Sequence, residues 1–162
     1  MRLSKPPEGF LKCNADCTLF QHNSCFGADI WFRDSIGRIV LSQTTLFPFI
    51  GTVVESETTV SLVSIQLAND HGFNNVQFMC NNLTVATATN KAIIYNNELS
   101  HLISLCRGLF SVHASYNLAF GKRKANMTSH TLARISLFHA SRCSIFLQLP
   151  ECIATLIIEE MQ

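Results

Sequence analysis

The sequence predicts an α/β domain with a mixed five-stranded central sheet and flanking helices. Three observations predict it: an opening stretch that alternates apolar and polar residues, a hairpin pattern directly after it, and then helical stripes interleaved with short strands. The chain has 162 residues, of which 48% are hydrophobic and 14% charged, enough apolar material for one core and too little charge for a disordered chain.

Pro6 and Pro7 hold an extended opening segment. After Gly9, Leu11, Cys13, Ala15, Cys17 and Leu19 alternate with Lys12, Asn14, Asp16 and Thr18, which predicts a strand with Asp16 on its polar side. Runs from Phe26 to Phe32 and from Arg38 to Thr45 flank the turn-forming Arg33-Asp34-Ser35-Ile36-Gly37 and predict a hairpin. Asp29, beside Trp31 in the second strand, is expected on the exposed face of the sheet.

From about Glu57 to Asp70 the period becomes helical. Val60, Val63, Leu67 and Ala68 form a stripe and Gly72 a stop, while Leu62 and Ile65, off the stripe, predict packing against a second helix. Asn74 to Cys80 returns to alternation as a fourth strand ending at Asn81. Leu99, Leu102, Ile103, Cys106, Leu109 and Phe110 mark an amphipathic helix with Asn96 and Asn97 as capping candidates. Tyr116 to Phe120 is a fifth strand. Ser129, Leu132, Ala133, Ser136, Leu137 and Ala140 trace another helix, and Pro150 opens a last apolar segment from Ile153 to Met161 read as a short helix. The first hairpin is antiparallel and later strands return through helices, so mixed pairing is expected.

A formal net charge of +1 does not mark a general polyanion binder, because non-specific nucleic-acid affinity comes from many phosphate-neutralising cations. The basic surface is local: Lys122-Arg123-Lys124, with Arg134 further on. The seven cysteines, scattered and without a CxxC pair, read as reduced core residues, and Cys13, Cys17, His22 and Cys25 match no established zinc spacing. The N-terminus has no apolar core long enough for a signal peptide and no stretch elsewhere approaches the apolar length of a spanning helix, so an intracellular protein with no membrane partner is expected; a monomer is expected as well. The sequons at Asn82 and Asn126 then read as chance matches.

The element order, with KPPEGFLKCNAD, FGADIWFRDSIGRIV, ESETTVSLVSIQLANDHGFNNVQF, GKRKANMTSHTLAR and LPECIATLIIEEM at their spacing, resembles the RNase H-like domain of plant LINE-type retroelements. The resemblance spans nearly the whole chain and divides it into an opening segment over 1–9, the RNase H-like domain over 10–142, and a C-terminal extension with a short helix over 143–162. It implies hydrolysis of the RNA strand of an RNA/DNA hybrid by two divalent metal ions, Mg or Mn, held by acidic residues. Such a site needs dense negative charge, since paired cations repel each other and must be neutralised before they activate water.

Position by position, the resemblance places the first-strand acid on Asp16 and the first-helix acid on Glu57, both as metal ligands. The acid ending the fourth strand falls on Asn81, and the last-helix position, Asp or His in this branch, falls on His130. Neither side chain supplies negative charge at pH 7. With a unit charge about 4 Å from the metal and an effective dielectric of roughly 20, each missing carboxylate forfeits on the order of 4 kcal/mol of attraction. A third of that is a tenfold loss in metal affinity. Cys17 stands where a glycine is usual and Leu3 where a tryptophan is frequent.

Without the resemblance, Asp16 reads as a strand surface residue, Glu57 as a first-turn helix charge, His130 as an exposed helix residue and Asn81 as a turn residue. With it, the expected function is an RNase H-like nucleic-acid-binding domain with weakened or lost cleavage. Lys122, Arg123 and Lys124 would hold the backbone of a hybrid or other nucleic acid by contacts that position without reading sequence. The rivals are an active hybrid ribonuclease, a non-catalytic duplex-binding module, and a retroelement relic.

Overall fold

The computed structural model describes residues 5–49, 51–91, 97–121 and 143–146. Its sheet contains the five expected strands, β1 (Leu11–Phe20), β2 (Cys25–Arg33), β3 (Ile39–Phe47), β4 (Val76–Cys80) and β5 (Tyr116–Phe120). A short sixth strand, β6 (Cys143–Phe146), pairs antiparallel with β3; its residues belong to the segment read from sequence as the C-terminal extension. The order across the sheet is β5-β4-β1-β2-β3-β6. β1, β2 and β3 pair antiparallel, while β4 joins β1 and β5 joins β4 in parallel, the mixed pairing expected of a hairpin followed by helical returns.

The hairpin turn works as its residues predict. Asp34 Oδ1 accepts the Ile36 and Arg38 amides at 3.1 and 2.9 Å, and its other oxygen pairs with the Arg38 guanidinium at 2.8 Å. Gly37 takes φ +90°, a backbone conformation closed to most residues with a Cβ.

Three helices are described, α1 (Val53–Asp70), α2 (Leu83–Lys91) and α3 (Glu98–Val112). α1 starts one turn before the expected Glu57. Thr52 accepts the Glu55 amide while the Glu55 carboxylate accepts the Thr52 N–H at 2.8 Å, a capping box that fixes the start. Glu57 therefore sits in the second turn, and Glu55 is the first-turn acid. Thr52→Ala should destabilise the fold by about 1 kcal/mol, read as a lower urea midpoint with unchanged slope. Asn97 caps α3 by accepting the Ser100 amide at 3.3 Å.

α2 has no separate sequence stripe. It starts from Asn82, whose side chain accepts the Val85 amide, and buries Val85, Ala86, Ala88 and Thr89. α1 packs on β1 and against α3, which explains why its off-stripe Leu62 and Ile65 are also buried. The core gathers Cys13, Ala15 and Cys17 of β1, Phe26, Ile30 and Phe32 of β2, and Phe78 of β4 beneath Val60, Ile65 and Ala68 of α1. The expected helix over 129–140 and the closing segment from Ile153 to Met161 lie outside the described residues.

The opposite face of the hairpin differs from expectation. Asp29, expected in solvent, is fully buried, as are its face-mates Asn14, Asp16, Trp31 and Arg33. Alternation reported correctly which residues share a face; it carried no information on whether that face is covered.

Candidate functional site

β1 and β4 run parallel with Asn14 beside Met79, so the chain just past β4 lies next to Asp16. There Asn81 Nδ2 donates a 2.8 Å hydrogen bond to Asp16 Oδ1, which also accepts the Cys17 amide at 2.9 Å. Asp16 is fully buried and Asn81 half-buried. The first-strand acid and the position ending the fourth strand, 65 residues apart in sequence, are thus in direct contact.

Glu57 reaches the same place from α1. It lines a cleft of about 360 Å³ together with Cys17, Thr18, Leu19, Val53, Asn81 and Asn82. Burial first, and then the charges of Glu57 and Asp16, push the Cys17 thiol far above its ordinary range. Burial likewise raises Cys80, at the end of β4, to about 12. Both thiols are neutral at physiological pH and inert as nucleophiles. The fourth position, His130, and the basic run Lys122, Arg123 and Lys124 lie outside the described residues.

One further acid stands here, outside the predicted set. Asp29 of β2 is the direct cross-strand partner of Asp16, so both carboxylates project from the same face. Burial, and then the charge of Asp16, push the Asp29 carboxyl well above the usual carboxylate range; the neighbouring Ile30 amide acts the other way, although it lies outside hydrogen-bond geometry. A signal for the pairing existed. A four-residue connection, Gln21 to Ser24, joins Phe20 to its partner Cys25, and counting back from it brings Asp16 opposite Asp29.

The donor set decides what the cleft can hold. A divalent ion between Asp16 and the end of β4 needs oxygen from both sides, whereas Asn81 turns an N–H toward Asp16 and supplies its own positive dipole there. Among the described residues no three His, Cys, Asp or Glu side chains converge as a metal-holding group. Among the described carried-over positions, Asp16 and Glu57 bring negative charge and Asn81 brings an N–H, which is less charge than a pair of cations needs.

A family model described as reverse transcriptase-like matches residues 14–136. Among solved structures the chain is similar to RNase H1 of the halophilic archaeon Halobacterium salinarum, at 16% identity and a TM-score of 0.71 over 80% of this chain and 98% of that one. It is also similar to the N-terminal RNase H domain of a Mycobacterium tuberculosis protein, at 14% identity and a TM-score of 0.68 over 80% and 94% of the two chains. A third likeness is to LC11-RNase H1, isolated from compost by a metagenomic approach and solved in complex with an RNA/DNA hybrid, at 10% identity and a TM-score of 0.67 over 76% and 94%. At these identities the likeness is one of fold. Comparison with curated proteins gives no match.

Proposed function

This chain belongs to the reverse transcriptase-like family and has an RNase H-like fold, and from that premise we propose that it binds RNA/DNA hybrid or a related duplex with its RNA-cleaving activity weakened or lost. The observation that carries this reading is the Asn81 amide on Asp16. Two-metal hydrolysis requires negative charge to draw cations to the point where water is activated and the leaving oxygen stabilised. Asp16 and Glu57 are the two acids available among the four carried-over positions, Asn81 and His130 being neutral or basic. A donor hydrogen-bonded to Asp16 opposes a cation approaching from that side.

Divalent Mg or Mn is the metal class this site would take, with Asp16 and Glu57 as its ligands, and metal at the Asn81 and His130 positions is expected to be weak. The plant LINE-type branch is proposed on the five segments that carry the resemblance. Binding is proposed to persist because it depends on cations that neutralise phosphate rather than on the metal cluster. Lys122, Arg123 and Lys124 are the expected contributors.

The test measures binding and cleavage of a labelled RNA/DNA hybrid by the whole chain across a salt series, in magnesium and in manganese. Salt-sensitive binding with little or no cleavage is expected. Efficient cleavage in magnesium would assign an active ribonuclease instead, and absence of both binding and cleavage a relic. Reversing the charge of Lys122, Arg123 and Lys124 together should lower affinity similarly for different sequences and reduce the logarithmic salt slope by up to about 3. An unchanged slope assigns these residues to plain surface.

A further inference from the structure

We propose that Asp29 and Asp16 form a binding site for a single divalent cation of the oxygen-seeking class, on the β1–β2 side of Asp16 and away from Asn81. The proposal deepens the functional reading above, since it rests on Asp16, the buried acid that Asn81 contacts beside the cleft.

The geometry supplies both halves of the site. Asp16 and Asp29 are directly opposed on antiparallel strands, which puts their Cβ atoms about 5 Å apart on one face of the sheet. Both residues are fully buried. Like charges directly opposed on a sheet repel, and in a dry environment the repulsion is not screened. Either a cation lies between the carboxylates or one of them keeps its proton.

Asp29 is the side chain that asks for a ligand. Neither of its carboxylate oxygens meets a hydrogen-bond partner among the described residues, although a buried carboxylate without one is costly. Its face-mates Lys12 and Arg33 form the rung four residues away along the strands, about 13 Å at strand spacing, and Arg33 stacks over the ring of Trp31 between. What acts on Asp29 is burial first and the charge of Asp16 next. On the other side, Thr44 of β3 is the direct partner of Asp29 and is itself buried, offering a hydroxyl oxygen on the same face.

Two carboxylates and neutral oxygens are a hard-cation donor set. The site restores through Asp29 the negative charge absent at Asn81, but one strand over, so that a bound ion would bridge β1 and β2. Burial selects among ions. Magnesium sheds its water reluctantly and demands near-ideal octahedral geometry, so manganese is expected to bind more tightly than magnesium.

The experiment uses the whole chain without nucleic acid, with Mn²⁺ as the probe, followed through the free-ion electron paramagnetic resonance signal and through thermal unfolding. Wild type is expected to bind Mn²⁺ and to melt at higher temperature in its presence. Asp29→Asn should lower Mn²⁺ affinity at least tenfold and abolish most of the melting shift. The same variant should be more stable than wild type without metal, because one of two opposed acids is gone, and this gain shows that it folds. Equal Mn²⁺ affinity in wild type and Asp29→Asn, or no Mn²⁺ binding by folded wild type, overturns the proposal. Hybrid binding is measured separately: a chain that binds Mn²⁺ through Asp29 yet does not bind hybrid keeps the cation site and overturns the nucleic-acid reading.

Discussion

Raising the pH from 9 to 11 is expected to strip most of the stability from this fold, because its buried thiols cannot ionise where they sit. Burial pushes Cys80 and Cys106 up from 9.0 to about 12, and Cys13 and Cys17 are raised as well. In the unfolded chain these thiols lose their protons near pH 9. Above that pH the folded state binds more protons than the unfolded state, so stability falls as pH rises. The contribution of Cys80 and Cys106 is complete below pH 9 and is lost as pH rises toward 12. Each thiol adds a slope of roughly 1 kcal/mol per pH unit.

One group opposes this trend. Burial, and then the nearby Arg33 charge, lower Lys12 from 10.5 to about 8, so between those values the unfolded chain binds the extra proton and stability rises. Four thiols against one lysine leave a net loss of about 3 kcal/mol per pH unit or more, large against the 5–15 kcal/mol typical of a domain. Urea midpoints at pH 7, 9, 10 and 11 measure it. Cys106→Ala should reduce the alkaline slope by about one thiol's share, and an unchanged slope in that variant would show that Cys106 ionises freely in the folded protein.

The same burial shows what the sequence could and could not report. The strand order and the helix against the sheet followed from periodicity, since Cys13, Ala15 and Cys17 must share one face whatever covers it. Coverage of the other face was illegible. Lys12, Asn14, Asp16 and Asp29 look solvated in a one-dimensional pattern, and their burial depends on tertiary packing that no local window contains. The start of α1 is legible in Thr52-Val53-Val54-Glu55, which has the spacing of a capping box, whereas the apolar stripe alone points to a later start. α2 was less legible, because its threonines weaken helix propensity and only Asn82 marks its start.

At the candidate site, the resemblance chose Asp16 and Asn81, and the structure brings those two side chains into contact. What sequence alone could not give is the direction of that contact. An asparagine offers either an oxygen or an N–H, and with Asp16 buried beside it the N–H is the favourable choice, since it satisfies the carboxylate. Asp29 differs from its expected exposure for a related reason: the sequence gives its partner strand, but the exact rung depends on where the connecting loop closes.

Asn81→Asp is the second large expected effect and the most direct test of the central claim that a hydrogen-bonded amide stands where the site needs charge. The replacement is nearly isosteric. It removes a hydrogen bond to a carboxylate, worth about 1.5–3 kcal/mol, and sets two acids side by side, so the metal-free protein should be destabilised by at least that amount. Manganese or magnesium should restore the loss, with metal affinity raised tenfold or more over wild type. His130→Asp alone should do less, and if both positions act on one cluster the double replacement should exceed the sum of the single effects. The measurement is metal affinity by calorimetry together with hybrid cleavage, for wild type and Asn81→Asp in the same preparation. Weak metal binding and little cleavage are expected in wild type, with a gain in both in the variant; an Asn81→Asp protein that folds and binds hybrid but gains neither would show that the missing charge at Asn81 is not what limits the site.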